Sequence, residues 1–290
     1  MLFRSGVMGG PQVATAIAVS RAIRARFPLV PIIAVAALIA WIGIRQTGHP
    51  LPWVDLRATL QRRFLMGMVF YAIYYVFASA WGFLSSSLLQ NGLGFRYETT
   101  AQLMSLGGLV TVVLGILNFQ LTNVLPPKRV LISVGFVLMA VAFLWMSHAA
   151  MPGASVMAVA PGFLIEGMVG MFVVIQVAGL TYVDMPAKDF GHAYQFKGIM
   201  RAWAQAFGTM GATLLLQRGQ AQHRTDLVGH VSAFTPDWQW PHALQGAELI
   251  RISAEIDRQA ALLAVRDLFA WGALIAVVCA GAIWLQRHLR

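Results

Sequence analysis

One acidic residue, Glu166, lies in the middle of a long apolar run that covers residues 156–183. A charged carboxylate near the centre of a membrane-spanning helix costs about 2.5 kcal/mol or more on insertion scales, so such a group faces a cavity or a partner. Gly162 and Gly170 lie four residues on either side of it, on the same helical face, where they would let a neighbouring helix or a ligand approach closely. Glu166 is therefore predicted either to exchange protons from a cavity or to lock two helices together as a neutral, hydrogen-bonded acid.

Arg201 is the only arginine well inside an apolar run, here residues 190–217. Lys197 and Gln205 share its helical face at a spacing of four residues, and Lys197 lies close enough to the end of the run to reach the membrane interface. This face is predicted to bind an anionic group, to pair with an acid from elsewhere, or to hold a carbonyl at a helix break. At a rise of about 1.5 Å per residue, Arg201 and Glu166 differ in depth by about 10 Å, which indicates two levels of one cavity rather than a salt bridge.

Three further polar residues, Gln102, Asn118 and Gln176, lie in apolar runs. They are candidates for lining the path of a ligand, although hydrogen bonds between helices explain most such residues. The histidines show no metal-ligand spacing, and the sequence contains no phosphate-binding loop and no nucleophile motif. No metal, no cofactor and no enzyme activity are therefore predicted.

The composition is that of a membrane protein. Hydrophobic residues make up 58% of the chain and charged residues 11%, whereas a soluble domain carries roughly 25% charged residues. The net charge of +10 comes from small basic groups in the gaps between apolar runs rather than from one basic stripe. That arrangement is typical of polytopic membrane proteins, and nucleic-acid binding is not predicted.

Seven apolar runs approach or exceed the length of about 20 residues that crosses a bilayer. Tryptophans near the ends of runs, among them Trp81, Trp145 and Trp284, are predicted to be interface anchors. The runs are 28–44, 64–89, 100–125, 130–147, 156–183, 190–217 and 263–285. The sequence therefore predicts an all-α integral membrane protein with about seven transmembrane helices.

Basic residues in the short loops predict the orientation. If the loop after the first run is cytoplasmic, most loop cations and the C-terminus lie on the cytoplasmic side, although Arg21, Arg24 and Arg26 do not fit. The segment 218–262 is then a long outer loop. Within it, residues 247–258 alternate between apolar and charged, which indicates either a short amphipathic helix on the outer surface or a merely solvated helix.

Four short motifs lie at the ends of the runs or between them. They are His49-Pro50 with Val54-Asp55-Leu56 and Arg63-Phe64, Leu88-Leu89-Gln90 with Gly94, the pair Lys128-Arg129, and Arg201 with Gly208 and Gly211. In their order and spacing they resemble the C-terminal half of the major facilitator superfamily, in particular its EmrB/QacA-type branch of fourteen-helix drug:proton antiporters.

The resemblance implies a secondary active transporter of the inner membrane that exports hydrophobic or cationic drug-like compounds in exchange for protons. Residues 1–27 are then an N-terminal remnant or extramembrane segment, 28–63 a linker-type helix with a cytoplasmic loop, and 64–290 a six-helix C-terminal half. A chain that starts inside a longer gene is expected. In such a transporter the candidate transport or coupling residues are Glu166, Arg201, Lys197 and Gln205. The candidates for lining the cavity are Gln176, Gln102, Asn118, Gly162 and Gly170.

The expected partners are the lipid bilayer, protons, a small-molecule substrate and either a missing N-terminal half or a second copy of the chain. The resemblance also implies a periplasmic adaptor protein that meets the long loop. One alternative stays open: a non-transporting membrane scaffold or assembly subunit that binds a partner through that loop.

Overall fold

The structure, a computed structural model, describes residues 62–121, 126–182, 190–230 and 246–285, together with Trp41. In this part of the chain every regular element is a helix. The helices are α1 (Arg62–Ser87), α2 (Tyr97–Leu121), α3 (Lys128–Ala149), α4 (Val156–Gly170), α5 (Gln176–Thr181), α6 (Phe190–His230) and α7 (Gly246–Leu285). A π-helical turn at Leu88–Gly92 extends α1, and another at Met171–Ile175 joins α4 to α5. Outside the described residues lie the predicted segment 1–27 and nearly all of the predicted segment 28–63. The apolar run 28–44 is described only at Trp41.

Five helices in the described part of the chain are long and apolar enough to cross a membrane. They are Phe64–Gly92, Tyr97–Asn118, Lys128–Ala149, Val156–Gly179 and Ile250–Trp284. The prediction of an all-α integral membrane protein is thereby confirmed. The predicted run 190–217 is helical within α6 but is not one of the five, because Lys197, Arg201 and several neutral polar side chains lower its hydropathy.

The structure corrects the prediction of a long loop over residues 218–262. The helix α6 continues to His230 and α7 already begins at Gly246, so the predicted amphipathic helix 247–258 is the first part of α7. An apolar run ends where the hydrocarbon ends, whereas a helix continues as long as its residues are good helix formers. At about 1.5 Å per residue each of these helices is about 60 Å long, roughly twice the thickness of the hydrocarbon core.

The core is built around Trp81, which the sequence predicts to be an interface anchor but which is only 3% exposed. Its ring centroid lies 5.2 Å from that of Phe143, 5.8 Å from that of Phe163 and 5.5 Å from that of Phe269, so α1, α3, α4 and α7 meet at this point. The prediction for Trp81 is wrong because a position near the end of a run does not reveal which face of the helix the residue occupies.

The end of α1 explains the glycine of the Leu88-Leu89-Gln90…Gly94 motif. The Leu93 amide donates to the Leu88 carbonyl and the Phe95 amide to the Leu89 carbonyl, both at 2.8 Å. Gly94 closes this turn with φ of 71°. Residues with a Cβ disfavour that left-handed conformation, so the turn requires glycine.

The basic pair Lys128-Arg129 begins α3 and holds the ends of two other helices. The Lys128 ammonium donates to the Gly179 carbonyl near the end of α5 at 3.2 Å. The Arg129 guanidinium donates to the Ile283 carbonyl at 3.2 Å and to the Trp284 carbonyl, and it lies 5.1 Å from the centroid of the Trp284 ring. Cations are favourable at the C-terminal ends of helices, where the carbonyls lack partners.

We expect Arg129→Ala to lower the free energy of unfolding by about 2 kcal/mol, since hydrogen bonds from a charged group contribute about 1.5–3 kcal/mol. Thermal unfolding of the purified chain in detergent would show this as an apparent Tm lower by about 5 °C. The matched control is Arg218→Ala, because Arg218 is exposed on α6. An unchanged Tm for Arg129→Ala, or an equal decrease in both variants, would contradict the assignment.

Candidate functional site

The close contact between α1 and α6 positions the polar residues of both helices. A stripe of buried residues on α6, spaced by four, faces α1: Ala204, Gly208, Ala212 and Leu216. A Cβ atom on Gly208 would overlap the backbone of Val76 and the Ser79 hydroxyl. The two helix backbones therefore approach each other at Gly208 as closely as their atoms allow.

About two and three helical turns before Gly208, two cations of α6 lie on tyrosine rings of α1. The Lys197 ammonium is 5.0 Å from the centroid of the Tyr71 ring, and the Arg201 guanidinium carbon is 4.8 Å from that of the Tyr75 ring. Each such contact stabilises by about 0.5–2 kcal/mol, depending on how far it is desolvated. We call Tyr71, Tyr74, Tyr75, Lys197 and Arg201 the cation–tyrosine cluster.

The rings of the cation–tyrosine cluster also contact one another, with centroids 4.7 Å apart for Tyr71 and Tyr75 and 5.1 Å apart for Tyr74 and Tyr75. In the structure the Lys197 ammonium group lies against aromatic rings, and its position at the membrane interface stays a prediction. The three tyrosines are spaced by one, three and four residues on α1, a pattern from which one aromatic face could have been expected.

Glu166 lies where α4 crosses α2. A Cβ on Gly107 would be 3.5 Å from Glu166 Oε2, and a Cβ on Gly167 would overlap the Gly107 backbone. The Thr111 hydroxyl donates to the Gly167 carbonyl across the crossing at 2.7 Å. No hydrogen bond or ion pair joins the Glu166 carboxylate to another described residue. The crossing is therefore held by two glycines and a threonine, and the described contacts of the carboxylate beside it take no part in holding it.

Tyr74 connects the crossing with the cation–tyrosine cluster. It is 9% exposed, and its ring centroid lies 5.1 Å from that of Tyr75. Its hydroxyl oxygen lies 3.2 Å from where a Cβ on Gly170 would be. Glu166 and Arg201 form no ion pair with each other, in keeping with the expected difference in depth.

The two glycines that the sequence places on one face with Glu166 contact different helices. A Cβ on Gly162 would lie 2.9 Å from the Met146 sulfur of α3, whereas Gly170 faces Tyr74 of α1 and Thr111 of α2. Eight residues of α-helix leave the two glycines about 80° apart around the axis, so they do not open one common cavity. The closest approach of α4 to α2 is instead at Gly167. Because Gly167 directly follows Glu166, a search for residues spaced by four from Glu166 does not select it.

Four other predicted residues lie apart from the cluster or at its border. Gln102 is exposed on α2, whereas Asn118 and Gln176 are buried, 4% and 6% exposed. Gln205 is partly buried on α6, one turn after Arg201. No described hydrogen bond joins Gln102, Gln176 or Gln205 to the cation–tyrosine cluster.

A shallow apolar cavity of about 410 Å³ lies on the exposed face of α6 beside Arg201. Its lining consists of residues spaced by three, four and seven, namely Ala202, Trp203, Ala206, Phe207 and Met210. The Trp203 and Phe207 ring centroids are 5.9 Å apart. Sequence reasoning does not select these residues, since an aromatic stripe in a membrane helix is more often in contact with lipid or with the core.

The chain is similar to curated multidrug export proteins. It is 23% identical over 266 residues to the multidrug export protein EmrB of Escherichia coli K12, and 20% identical over 267 residues to the probable multidrug resistance protein EmrY of the same strain. Each alignment covers 89% of this chain and 51% of the relative. EmrB of Haemophilus influenzae is 23% identical over 214 residues, which is 72% of this chain and 40% of that protein.

These similarities confirm the resemblance predicted from the motifs. The chain spans about half the length of the Escherichia coli relatives that it matches. No family model matches the chain.

Proposed function

Because this chain is homologous to the EmrB-type multidrug export proteins, consistent with their branch of the major facilitator superfamily, we propose that it forms the C-terminal half of a secondary active transporter. In this proposal the transporter exports hydrophobic or cationic drug-like compounds in exchange for protons. The other wall of the pathway would come from a missing N-terminal half or from a second copy of the chain. The relatives support a transporter rather than an enzyme, and nothing in them favours the scaffold alternative.

The apolar helices and the relatives support a multi-pass protein of the inner membrane. We propose in addition that the C-terminus is cytoplasmic, so that the extended ends of α6 and α7 lie on the outer side. A periplasmic adaptor protein would meet the chain there. This orientation rests on the distribution of basic residues in the loops.

The observation that carries the proton-coupling part of the proposal is the environment of Glu166. Its carboxylate lies in a membrane-spanning helix without an ion pair or hydrogen bond to another described residue. Such a group is costly to keep charged in the membrane, so it gains a proton unless water or a partner reaches it. A conformational change that opens or closes the α2–α4 side to water would therefore change its protonation.

Tyr74 offers a physical link between that carboxylate and the ligand side. Its hydroxyl lies beside Gly170, one turn after Glu166, and its ring contacts the Tyr75 ring, on which the Arg201 guanidinium lies. When Glu166 is deprotonated, its negative charge attracts Arg201 and so weakens the contact between the Arg201 guanidinium and the Tyr75 ring. Protonation removes this attraction, so the position of Arg201 would follow the state of Glu166.

The surface around Arg201 suits hydrophobic and cationic ligands. The aromatic rings of Trp203 and Phe207 supply an apolar platform beside it. The faces of Tyr71 and Tyr75 are occupied by the protein's own cations, and a cationic ligand can displace such a side chain from an aromatic face. A hydrophobic cation would then stack on the tyrosines while Lys197 and Arg201 turn away.

The proposal is tested by Glu166→Gln in the native gene product that contains this chain. In everted membrane vesicles, proton movement driven by ethidium, a hydrophobic cation, is expected to fall by about tenfold or more, because an amide cannot carry the exchanged proton. Ethidium binding is expected to stay within about twofold of the wild type, since the side chain keeps its size.

The matched control is Glu98→Gln, which neutralises an exposed carboxylate at the beginning of α2. It should move protons as the wild type does. Proton movement at the wild-type rate in Glu166→Gln would overturn the assigned role of Glu166. An absence of ethidium-driven proton movement in the wild type would overturn proton-coupled export of cations altogether.

A further inference from the structure

Two adjoining cavities lie at the end of α1, about 22 Å along the helix from the cation–tyrosine cluster at a rise of about 1.5 Å per residue. The larger, of about 660 Å³, lies between α1, α6 and α7, and the smaller, of about 280 Å³, lies between α1 and α6. Both are lined by Asn91, Gln217 and Gln220. We call these two cavities the amide groove. Together they are in the size range of pockets for small ligands.

The charged side chains of the amide groove are already engaged. The Arg258 guanidinium donates to the Gly92 carbonyl at 2.7 Å and to the Leu93 carbonyl at 3.2 Å, which fixes α7 to the π-helical turn of α1. Arg224 of α6 pairs with Asp257 of α7 at 2.8 Å. These bonds connect the three walls, and among the described lining residues they leave no carboxylate unpaired.

The neutral polar groups, by contrast, are available. No hydrogen bond joins the side chain of Gln217 or Gln220 to another described residue. Within the described part of the chain, Asn91 has only a long hydrogen bond, 3.4 Å, to the Ser87 hydroxyl of its own helix. Each amide presents two donors and a carbonyl acceptor. The groove therefore offers neutral donors and acceptors together, next to the apolar side chains of Phe83 and Leu216.

We propose that the amide groove is a second ligand site that binds an uncharged, drug-sized molecule carrying several hydroxyl, amide or carbonyl groups next to an apolar ring. The amides of Gln217 and Gln220 hydrogen-bond to the polar groups, and Phe83 contacts the ring. The positive charge of Arg258 has no carboxylate partner among the described residues, so it disfavours a hydrophobic cation at this site. The proposal deepens the proposed export function and rests on it for the kind of ligand.

The test measures binding of chloramphenicol, an uncharged aromatic compound with two hydroxyls and an amide, by equilibrium dialysis. The chain is reconstituted in nanodiscs of phosphatidylethanolamine and phosphatidylglycerol, so that no sugar-headed detergent or lipid competes for the groove. The variant carries Gln217→Leu and Gln220→Leu, which keep the approximate size and remove the amides. Its Kd for chloramphenicol is expected to rise by about tenfold, the effect of losing two neutral hydrogen bonds.

The matched control is Gln222→Leu, which removes an exposed amide of the same helix outside the groove. It should bind chloramphenicol as the wild type does. Tetraphenylphosphonium, a hydrophobic cation without hydrogen-bonding groups, should bind equally well to all three proteins. This second ligand reports on the integrity of the fold.

Three results would overturn the proposal: no chloramphenicol binding to the wild type, an unchanged Kd in the double variant, or an equal loss in Gln222→Leu. Loss of tetraphenylphosphonium binding in the double variant would also overturn it, since the substitution would then act on the whole protein. Failure of the proposed function is separate, because that failure appears in proton movement and at Glu166, whereas this test measures binding at the other end of α1.

Discussion

Gly107→Leu and Gly167→Leu are each expected to reduce the yield of folded protein by about tenfold or more, because either side chain forces α2 and α4 apart and such overpacking costs about 1–3 kcal/mol or more. A Cβ on Gly167 would overlap the carbonyl oxygen of Gly107, and a Cβ on Gly107 would lie 3.0 Å from the Phe163 carbonyl oxygen. Backbone atoms, unlike a flexible side chain, cannot rotate out of the way.

The measurement is the monodisperse fraction on size-exclusion chromatography of the detergent-extracted chain. Gly108→Leu is the matched control, since Gly108 is the next residue of α2 and a Cβ there meets no atom within 4 Å. It should elute as the wild type does. Equal yields of Gly107→Leu and Gly108→Leu would show that the helix crossing does not exist as the structure has it.

At this crossing the residues that hold the two helices together are distinct from the carboxylate beside them. Thr111 donates to Gly167 at 2.7 Å, and the Glu166 carboxylate lies beside the same contact. Because glycines and the Thr111 hydroxyl hold the two helices together, the crossing does not depend on a hydrogen bond from the Glu166 carboxylate. Such a group can change its protonation without unfolding the crossing.

The sequence predicts the helices well because bilayer thickness imposes one strong requirement, a long apolar run. Five described helices meet that requirement. The same reasoning fails beyond the membrane, where α6 continues to His230 and α7 begins at Gly246. It also fails for Trp81, which lies in the aromatic core, because apolarity alone does not distinguish a side chain facing lipid from one facing protein.

The sequence predicts individual residues of the candidate site, but it does not predict which residues of other helices they contact. Glu166 and Arg201 follow from the cost of charge in a membrane, which acts on each residue separately. The rings beneath Lys197 and Arg201 come from α1, more than a hundred residues away, and periodicity within one helix contains no information about its neighbour. For the same reason the sequence places Gln217 at the end of a predicted run and Gln220 in a predicted loop, whereas in the structure both lie on α6.

Gly208→Leu is expected to reduce ethidium-driven proton movement by about tenfold or more, because the side chain displaces α6 from α1 and a misplacement of about 1 Å can be enough for such a loss. A Cβ on Gly208 would overlap Val76 and Ser79, whereas a Cβ on Gly211 meets no atom within 4 Å. Gly211→Leu is therefore the control on the same helix, and it should transport as the wild type does.

The contact at Gly208 lies between the cation–tyrosine cluster on one side and the amide groove on the other, and both have walls from α1 and α6. One substitution should therefore weaken the binding of ethidium and of chloramphenicol together, whereas Glu166→Gln leaves both bound and the double glutamine variant affects chloramphenicol alone. If Gly208→Leu weakens only one ligand, the two sites do not share the α1–α6 contact as a common support. Normal binding of both ligands with normal proton movement would show that α1 and α6 do not touch at Gly208.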